Sequence, residues 1–207
     1  MRPFARLAHL RWVPRLTEIN VPPDTLARAL AGEQSGQSAV YAALAPATFA
    51  LIRRLTGGGA LAEDLFQDTF VLVFQRLHAF RGEAPLGAWV RRIAVSRCLM
   101  YLRSPWHRAR LRLRGESEGD AWHDALLPVA PAASQEETVD VERALASLSP
   151  TARAVVWLFE VEGYSHEEIA QLFGRSSSFS KSQLARAHLK LREWFQPRVD
   201  RHTCPTI

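Results

Sequence analysis

Apolar side chains in the first half of the chain recur at helical spacing. Phe66, Phe70, Val73, Leu77 and Phe80 follow one another at four, three, four and three residues. That spacing predicts a helix over Leu61 to Leu77 with a buried stripe. Asp64, Gln67, Asp68, Val71 and Gln75 fall on a different face of it. Thr25 to Ala31 and Ala39 to Leu55 are helical in composition, and Gly57-Gly58-Gly59 closes the second. Arg81 to Pro85 is a loop, and Leu86 to Leu102 a further helix with Trp89, Ile93 and Met100 along one side.

The second half is patterned the same way. Val139 to Leu148 is a short helix. Ser149-Pro150 opens the next, with proline at a tolerated first-turn position. Val155, Val156, Leu158, Phe159 and Val161 supply its core and Gly163 ends it. Ser165-His166-Glu167-Glu168 is a Ser-x-x-Glu capping box, which satisfies two helix-end donors reciprocally, and its helix runs to Phe173 before Gly174. A last helix covers Phe179 to Phe195, with Leu184, Leu191 and Phe195 turned inward. A short helix, a tight turn and a longer basic helix make a helix-turn-helix. The fold class is therefore all-α: two small helical domains joined by a linker.

Charge supplies the linker. Six acidic residues and no Lys or Arg lie between Asp120 and Glu142, directly after the basic run Arg103 to Arg114. Without sustained apolar periodicity, Ser104 to about Glu137 reads as a connection. The expected organisation is a basic extension over 1–23, a first domain over 24–104, a linker over 105–137, a second domain over 138–196 and a tail over 197–207. Arg2, Arg6, Arg11 and Arg15 interrupt the apolar residues of the extension, so it is not a secretory signal and reads as a loose arm.

Composition narrows the function. The 207 residues carry 26 Lys+Arg against 21 Asp+Glu, a net charge of +5, and no apolar run reaches the ~18 residues a bilayer requires. Membrane insertion is not expected. Cys98 and Cys204 read as two reduced, unrelated thiols, which suits a cytoplasmic protein. His166-Glu167-Glu168 lacks the second histidine of a zinc-protease motif, and Gly57-Gly58-Gly59 follows a helix and lacks a Lys-Ser/Thr partner. The chain is expected to be no enzyme and to need no cofactor or metal.

The last helix points to DNA. At about 100° per residue, Lys181, Ser182, Ala185, Arg186 and Leu189 share one face, away from Leu184 and Leu191. Ala185 lets the backbone approach a major groove, Lys181 and Arg186 reach phosphates or guanine edges, and Ser182 serves either. Residues Arg175 to Arg201 carry seven basic and two acidic side chains, a basic footprint.

Two separate motif sets resemble one family. The stretch Glu160 to Ala170, followed by Lys181-Ser182-x-Leu184-x-Arg186-Ala187, is similar to the C-terminal domain of bacterial extracytoplasmic-function (ECF) sigma factors. Asp64-Leu65-Phe66-Gln67-Asp68-Thr69-Phe70 fits that family's Asp-x-x-Gln-acidic-x-Phe motif. Phe80-Arg81-Gly82, leading to Ala88 through Ala94, fits its promoter-melting segment. The resemblance covers roughly 24–104 and 138–195. It implies a dissociable subunit of bacterial RNA polymerase whose partners are core polymerase, promoter DNA and an anti-sigma factor. It places polymerase docking on Asp64, Gln67 and Asp68. It places minus-ten reading and melting on Trp89, Arg91, Arg92 and Ser96, and minus-thirty-five reading on Lys181, Ser182, Gln183 and Arg186.

The departures bear on DNA preference. Ser96 stands where the family carries Asn, and a hydroxyl cannot make an amide's two-pronged contact. Ser178-Phe179-Ser180 replaces Gly-Thr-Val, with Phe179 the expected apolar anchor, and Gln183 replaces Arg. The rival reading is a stand-alone helix-turn-helix regulator, which accounts for the second half but not for the Asp64 to Phe70 motif.

Overall fold

A computed structural model describes residues 15–105, 107 and 135–195, and all regular structure among them is helical. After a 3-10 turn at Leu16–Glu18 come α1 (Pro23–Leu30), α2 (Gln34–Thr56), α3 (Gly59–Arg76) and α4 (Leu86–Arg103). The second group is α5 (Gln135–Ala146), α6 (Pro150–Val156), α7 (His166–Phe173) and α8 (Ser177–Phe195). The arginines at 2, 6 and 11, the basic run 108–114 and Cys204 lie outside the described residues. Among the described residues no helix is long and apolar enough to cross a membrane.

The first group packs as a bundle. α2 begins five residues before the expected Ala39, because Gly36 lies against α1: a Cβ there would sit 2.4 Å from the Ala29 nitrogen. This glycine marks a close helix approach rather than a break. Pro46 is accommodated inside α2, which ends at Gly57 in the left-handed conformation, φ 93°. On α3, Phe70, Val73 and Leu77 are buried as expected, while Phe66 and Phe80 are only partly so. Phe66 meets Tyr41, Phe49 and Phe70 edge-on at centroid distances of 6.1, 5.3 and 5.1 Å, geometry that the ring quadrupole favours.

One reading of this half changes, and another gains detail. α4 buries Leu86, Val90, Ala94, Val95, Cys98, Leu99 and Leu102, while on its other side Trp89 and Ile93 are partly buried and Met100 is 54% exposed. The chain also joins the bundle earlier than residue 24. Leu16 is 3% exposed, and its carbonyl lies so near Gly87 that an added Cβ would come within 1.7 Å of the oxygen.

In the second group, Ser149 caps α6 by accepting from the Ala152 N–H at 3.2 Å. α6 then widens into a π turn, Trp157–Val161, burying Trp157 and Leu158 while Phe159 is partly exposed. Arg153 is buried and donates to the carbonyls of Leu145, Ala146 and Leu148 at 2.9, 3.0 and 3.4 Å. It thereby satisfies the open end of α5, whose last carbonyls have no intrahelical donor. Burial lowers its pKa to about 10. α8 starts at Ser177 and buries Leu184, Ala187 and Leu191, but Phe195, expected inside, is exposed.

Candidate nucleic-acid interface

The helix-turn-helix is assembled from capping and two ring contacts. The Ser165 hydroxyl accepts from the Glu168 N–H at 3.1 Å, and Glu168 Oε2 accepts from the Ser165 N–H at 2.8 Å. These bonds hold the Glu168 carboxyl below its ordinary pKa, the main-chain N–H contributing most. Gly174, left-handed at φ 61°, turns the chain so that the Arg175 N–H reaches the Ala170 carbonyl at 2.9 Å. Phe179 then packs on Phe173, centroids 5.4 Å apart, and is the apolar anchor of the turn.

A third element of this unit was not legible in the motif. The His166 ring stacks on Phe159 at 4.4 Å, and its Nδ1 hydrogen-bonds the buried Ser180 hydroxyl at 3.0 Å. His166 thus ties α7 to α8 and to the π turn. The unit presents Lys181, Ser182, Ala185, Arg186 and Leu189 exposed along one face of α8, with Gln183 half-buried at its margin.

The expected minus-ten residues converge elsewhere. Trp89, Arg91, Arg92 and Ser96 all line one open cavity of about 910 Å³ on the outward side of α4. Arg76 and Arg97 also line it, so four arginines face a single carboxylate, Glu168. Trp89 is half-buried against Phe80 at 5.7 Å, while Arg92 and Ser96 are exposed. The cavity combines cations with an accessible aromatic face, the combination that binds a nucleic-acid strand by phosphate attraction and base stacking.

The opposite wall of the cavity belongs to the second domain, through Tyr164, Glu168, Gln171 and Leu172. Arg91 is pulled toward that wall. Its Nη1 donates to the Glu162 carbonyl at 3.0 Å and lies 3.5 Å from the Glu162 carboxylate, and its guanidinium sits 4.7 Å over the Tyr164 ring. Nothing in the spacing of the sequence announces these contacts.

Asp64, Gln67 and Asp68 are exposed on α3. Asp68 forms an ion pair with Arg97 of α4, so α3 and the cavity helix share a charge contact.

Comparison with known proteins agrees with both halves. Residues 40–108 match the Sigma-70 region 2 family and residues 138–191 the Sigma-70, region 4 family. The chain is thus of the sigma-70 class, with a helical bundle followed by a helix-turn-helix. It is 32% identical over 169 residues to RNA polymerase sigma factor CarQ of Myxococcus xanthus, which spans 78% of this chain and 90% of CarQ. It is 32% identical over 131 residues to ECF RNA polymerase sigma factor SigM of Mycobacterium tuberculosis, covering 63% of this chain but 62% of SigM. Among solved structures, the sigma factor RpoE of Bartonella quintana, in complex with the anti-sigma factor NepR, superposes with a TM-score of 0.53 at 27% identity, over 79% of this chain and 98% of RpoE. The chain belongs to the ECF sigma-factor family.

Proposed function

We propose that this chain is a dissociable promoter-specificity subunit of bacterial RNA polymerase, working in the cytoplasm. The first domain docks core polymerase through Asp64, Gln67 and Asp68. It engages and opens the minus-ten element with Trp89, Arg91, Arg92 and Ser96. The second domain, 138–196, reads the minus-thirty-five element with Lys181, Ser182, Gln183 and Arg186, and 105–137 links the two. The chain supplies no catalytic residue or cofactor, since polymerase performs the chemistry.

The observation that supports this reading is the presence in one chain of two basic surfaces, the arginine-lined cavity on α4 and the exposed face of α8, together with an exposed carboxylate face on α3. A stand-alone regulator has use for the α8 face alone. The RpoE–NepR complex supports the expectation that an anti-sigma factor also binds this chain.

The test is co-elution of the purified chain with sigma-free core polymerase on a sizing column, beside Asp64→Arg/Asp68→Arg. The wild type is expected to co-elute and the double variant to lose binding. Wild-type failure, with tight binding to duplex DNA alone, would favour the stand-alone regulator. Equal binding by both proteins would move the docking site away from α3.

A further inference from the structure

The covered side of α8 carries a polar group among its apolar ones. Ser180, Leu184, Ala187 and Leu191 are buried, and at about 100° per residue they lie on the other side of the helix from Ser182, Ala185, Arg186 and Leu189. A buried hydroxyl needs a partner, and Ser180 meets His166 Nδ1 at 3.0 Å. The imidazole is itself held flat on Phe159, with centroids 4.4 Å apart and planes 18° from parallel. About two turns further along α8, His188 Nε2 lies 3.2 Å from Glu160 Oε1. Phe159 and Glu160 are neighbours in the π turn Trp157–Val161, so one short element meets both ties. That element is pinned in turn: the Glu162 N–H donates to the Trp157 carbonyl at 3.0 Å, and Trp157 Nε1 donates to the Glu162 carboxylate at 3.2 Å. Single π turns within helices recur at functional sites.

We propose that the π turn is the seat that sets the rotation and tilt of α8, and that His166 and Ser180 are positioning residues that tune which DNA sequence its exposed face reads. Two ties about 12 Å apart along the axis, at about 1.5 Å per residue, fix a direction as well as a place. The Ser180 tie is the sharper one, because a hydrogen bond is directional whereas apolar surfaces slide. It also sits immediately before Lys181 and Ser182, at the start of the reading face. A helix with its side chains is about 10–12 Å across, so a rotation of about 15° carries side-chain tips about 1.5 Å sideways. A binding constellation holds only within about 0.5 Å of its productive geometry. Losing the tie therefore weakens base reading while leaving phosphate attraction in place. Ser180 belongs to the stretch in which this chain departs from the family pattern, which makes the joint a feature of this sequence. That α8 reads a promoter rests on the sigma reading above, whereas the joint itself rests on the contacts alone.

The experiment selects bound sequences from a duplex library randomised across the minus-ten and minus-thirty-five positions, using the full chain with sigma-free core polymerase and, separately, the full chain alone. Discrimination is the affinity for the selected upstream element divided by the affinity for the same duplex with that element scrambled. His166→Phe keeps a ring on Phe159 and deletes the bond, Ser180→Ala deletes it from α8, and His166→Asn keeps an amide able to pair with Ser180. Discrimination should fall about tenfold in His166→Phe and in Ser180→Ala, the share that one good two-pronged base contact supplies. The double variant His166→Phe/Ser180→Ala should be no worse than either single, since both act through one bond. His166→Asn should match the wild type, and affinity for scrambled duplex and for core should not change. Should His166→Phe fail to fold, Ser180→Ala carries the test. A lower thermal midpoint with unchanged discrimination would make the joint structural only and overturn the proposal. Additive losses, or a loss in His166→Asn equal to that in His166→Phe, would overturn it too. Selection by the chain alone, with core adding nothing, would reject the sigma reading and leave the joint to be judged by the same variants. No selection under either condition would overturn both.

Discussion

Gly87 is the most exacting steric position of the first domain, and replacing it with alanine tests how the chain's early segment is held. The added Cβ would stand 1.7 Å from the Leu16 carbonyl oxygen, so backbone must retreat by more than an ångström. α4 is fixed by its buried face, which leaves the 15–18 turn as the part that moves. Displacing it exposes Leu16, now 3% exposed, at a cost of about 2–3 kcal/mol for a buried leucine. Alanine returns up to about 1 kcal/mol of helix propensity over glycine. The net loss for Gly87→Ala is therefore about 1–2 kcal/mol, read as a lower urea midpoint with an unchanged slope. The mechanism makes a stronger demand in a Leu16→Ala background. There the turn is already loosened, the clash is relieved at little cost, and Gly87→Ala should become neutral or stabilising by up to about 1 kcal/mol. Simple addition of the two losses would refute the argument, since independent sites add and coupled ones do not.

Four further outcomes follow from the second domain and from α4. Ser165→Ala should cost about 1 kcal/mol by uncapping α7. Because the Glu168 carboxyl titrates below its ordinary 4.5 when folded, its contribution is complete above pH 4.5 and fades as pH falls through the lower folded value; urea titrations from pH 6 to 3 should show this slope diminished in Glu168→Gln. Arg153→Met removes three hydrogen bonds, leaving the Leu145 carbonyl its Leu148 N–H, and should lower stability by about 2–3 kcal/mol at about 1 kcal/mol each, visible as a lower thermal midpoint in helical circular dichroism. Cys98, buried with its thiol pushed up to about 12, should resist alkylation at neutral pH until the bundle unfolds; rapid labelling of the native chain would contradict its placement.

Helix type and the exposed basic side of α8 were legible because both follow from local spacing. The 3.6-residue period separates Lys181, Ser182 and Arg186 from Leu184 and Leu191 without any knowledge of what surrounds them. The capping box and Gly174 marked α7 for the same reason, since their hydrogen bonds close within a few residues. What escaped depends on distant partners. Gly36 and Gly87 look like weak helix residues until the opposing backbone is in place. How deeply Trp89, Ile93 and Met100 are covered is invisible to periodicity, because α4 carries apolar residues on more than one side and only the bundle decides which is buried. Trp157 and Arg153 were passed over because an indole at a helix end and an arginine in an apolar run gain their meaning from Glu162 and from the end of α5.

The acceptors that meet α4 across the domain boundary have a consequence for how this protein can change over generations. Arg91 and Arg103 each donate to a main-chain carbonyl, at Glu162 and Leu172. Every residue type offers that oxygen, so no substitution at those two positions deletes it while the backbone path is kept. The residues proposed above to choose a promoter lie on a different helix, α8, and are exposed. The two surfaces can therefore diverge at different rates: α8 is free to explore new DNA sequences while the grip of the first domain on the second is inherited with the fold.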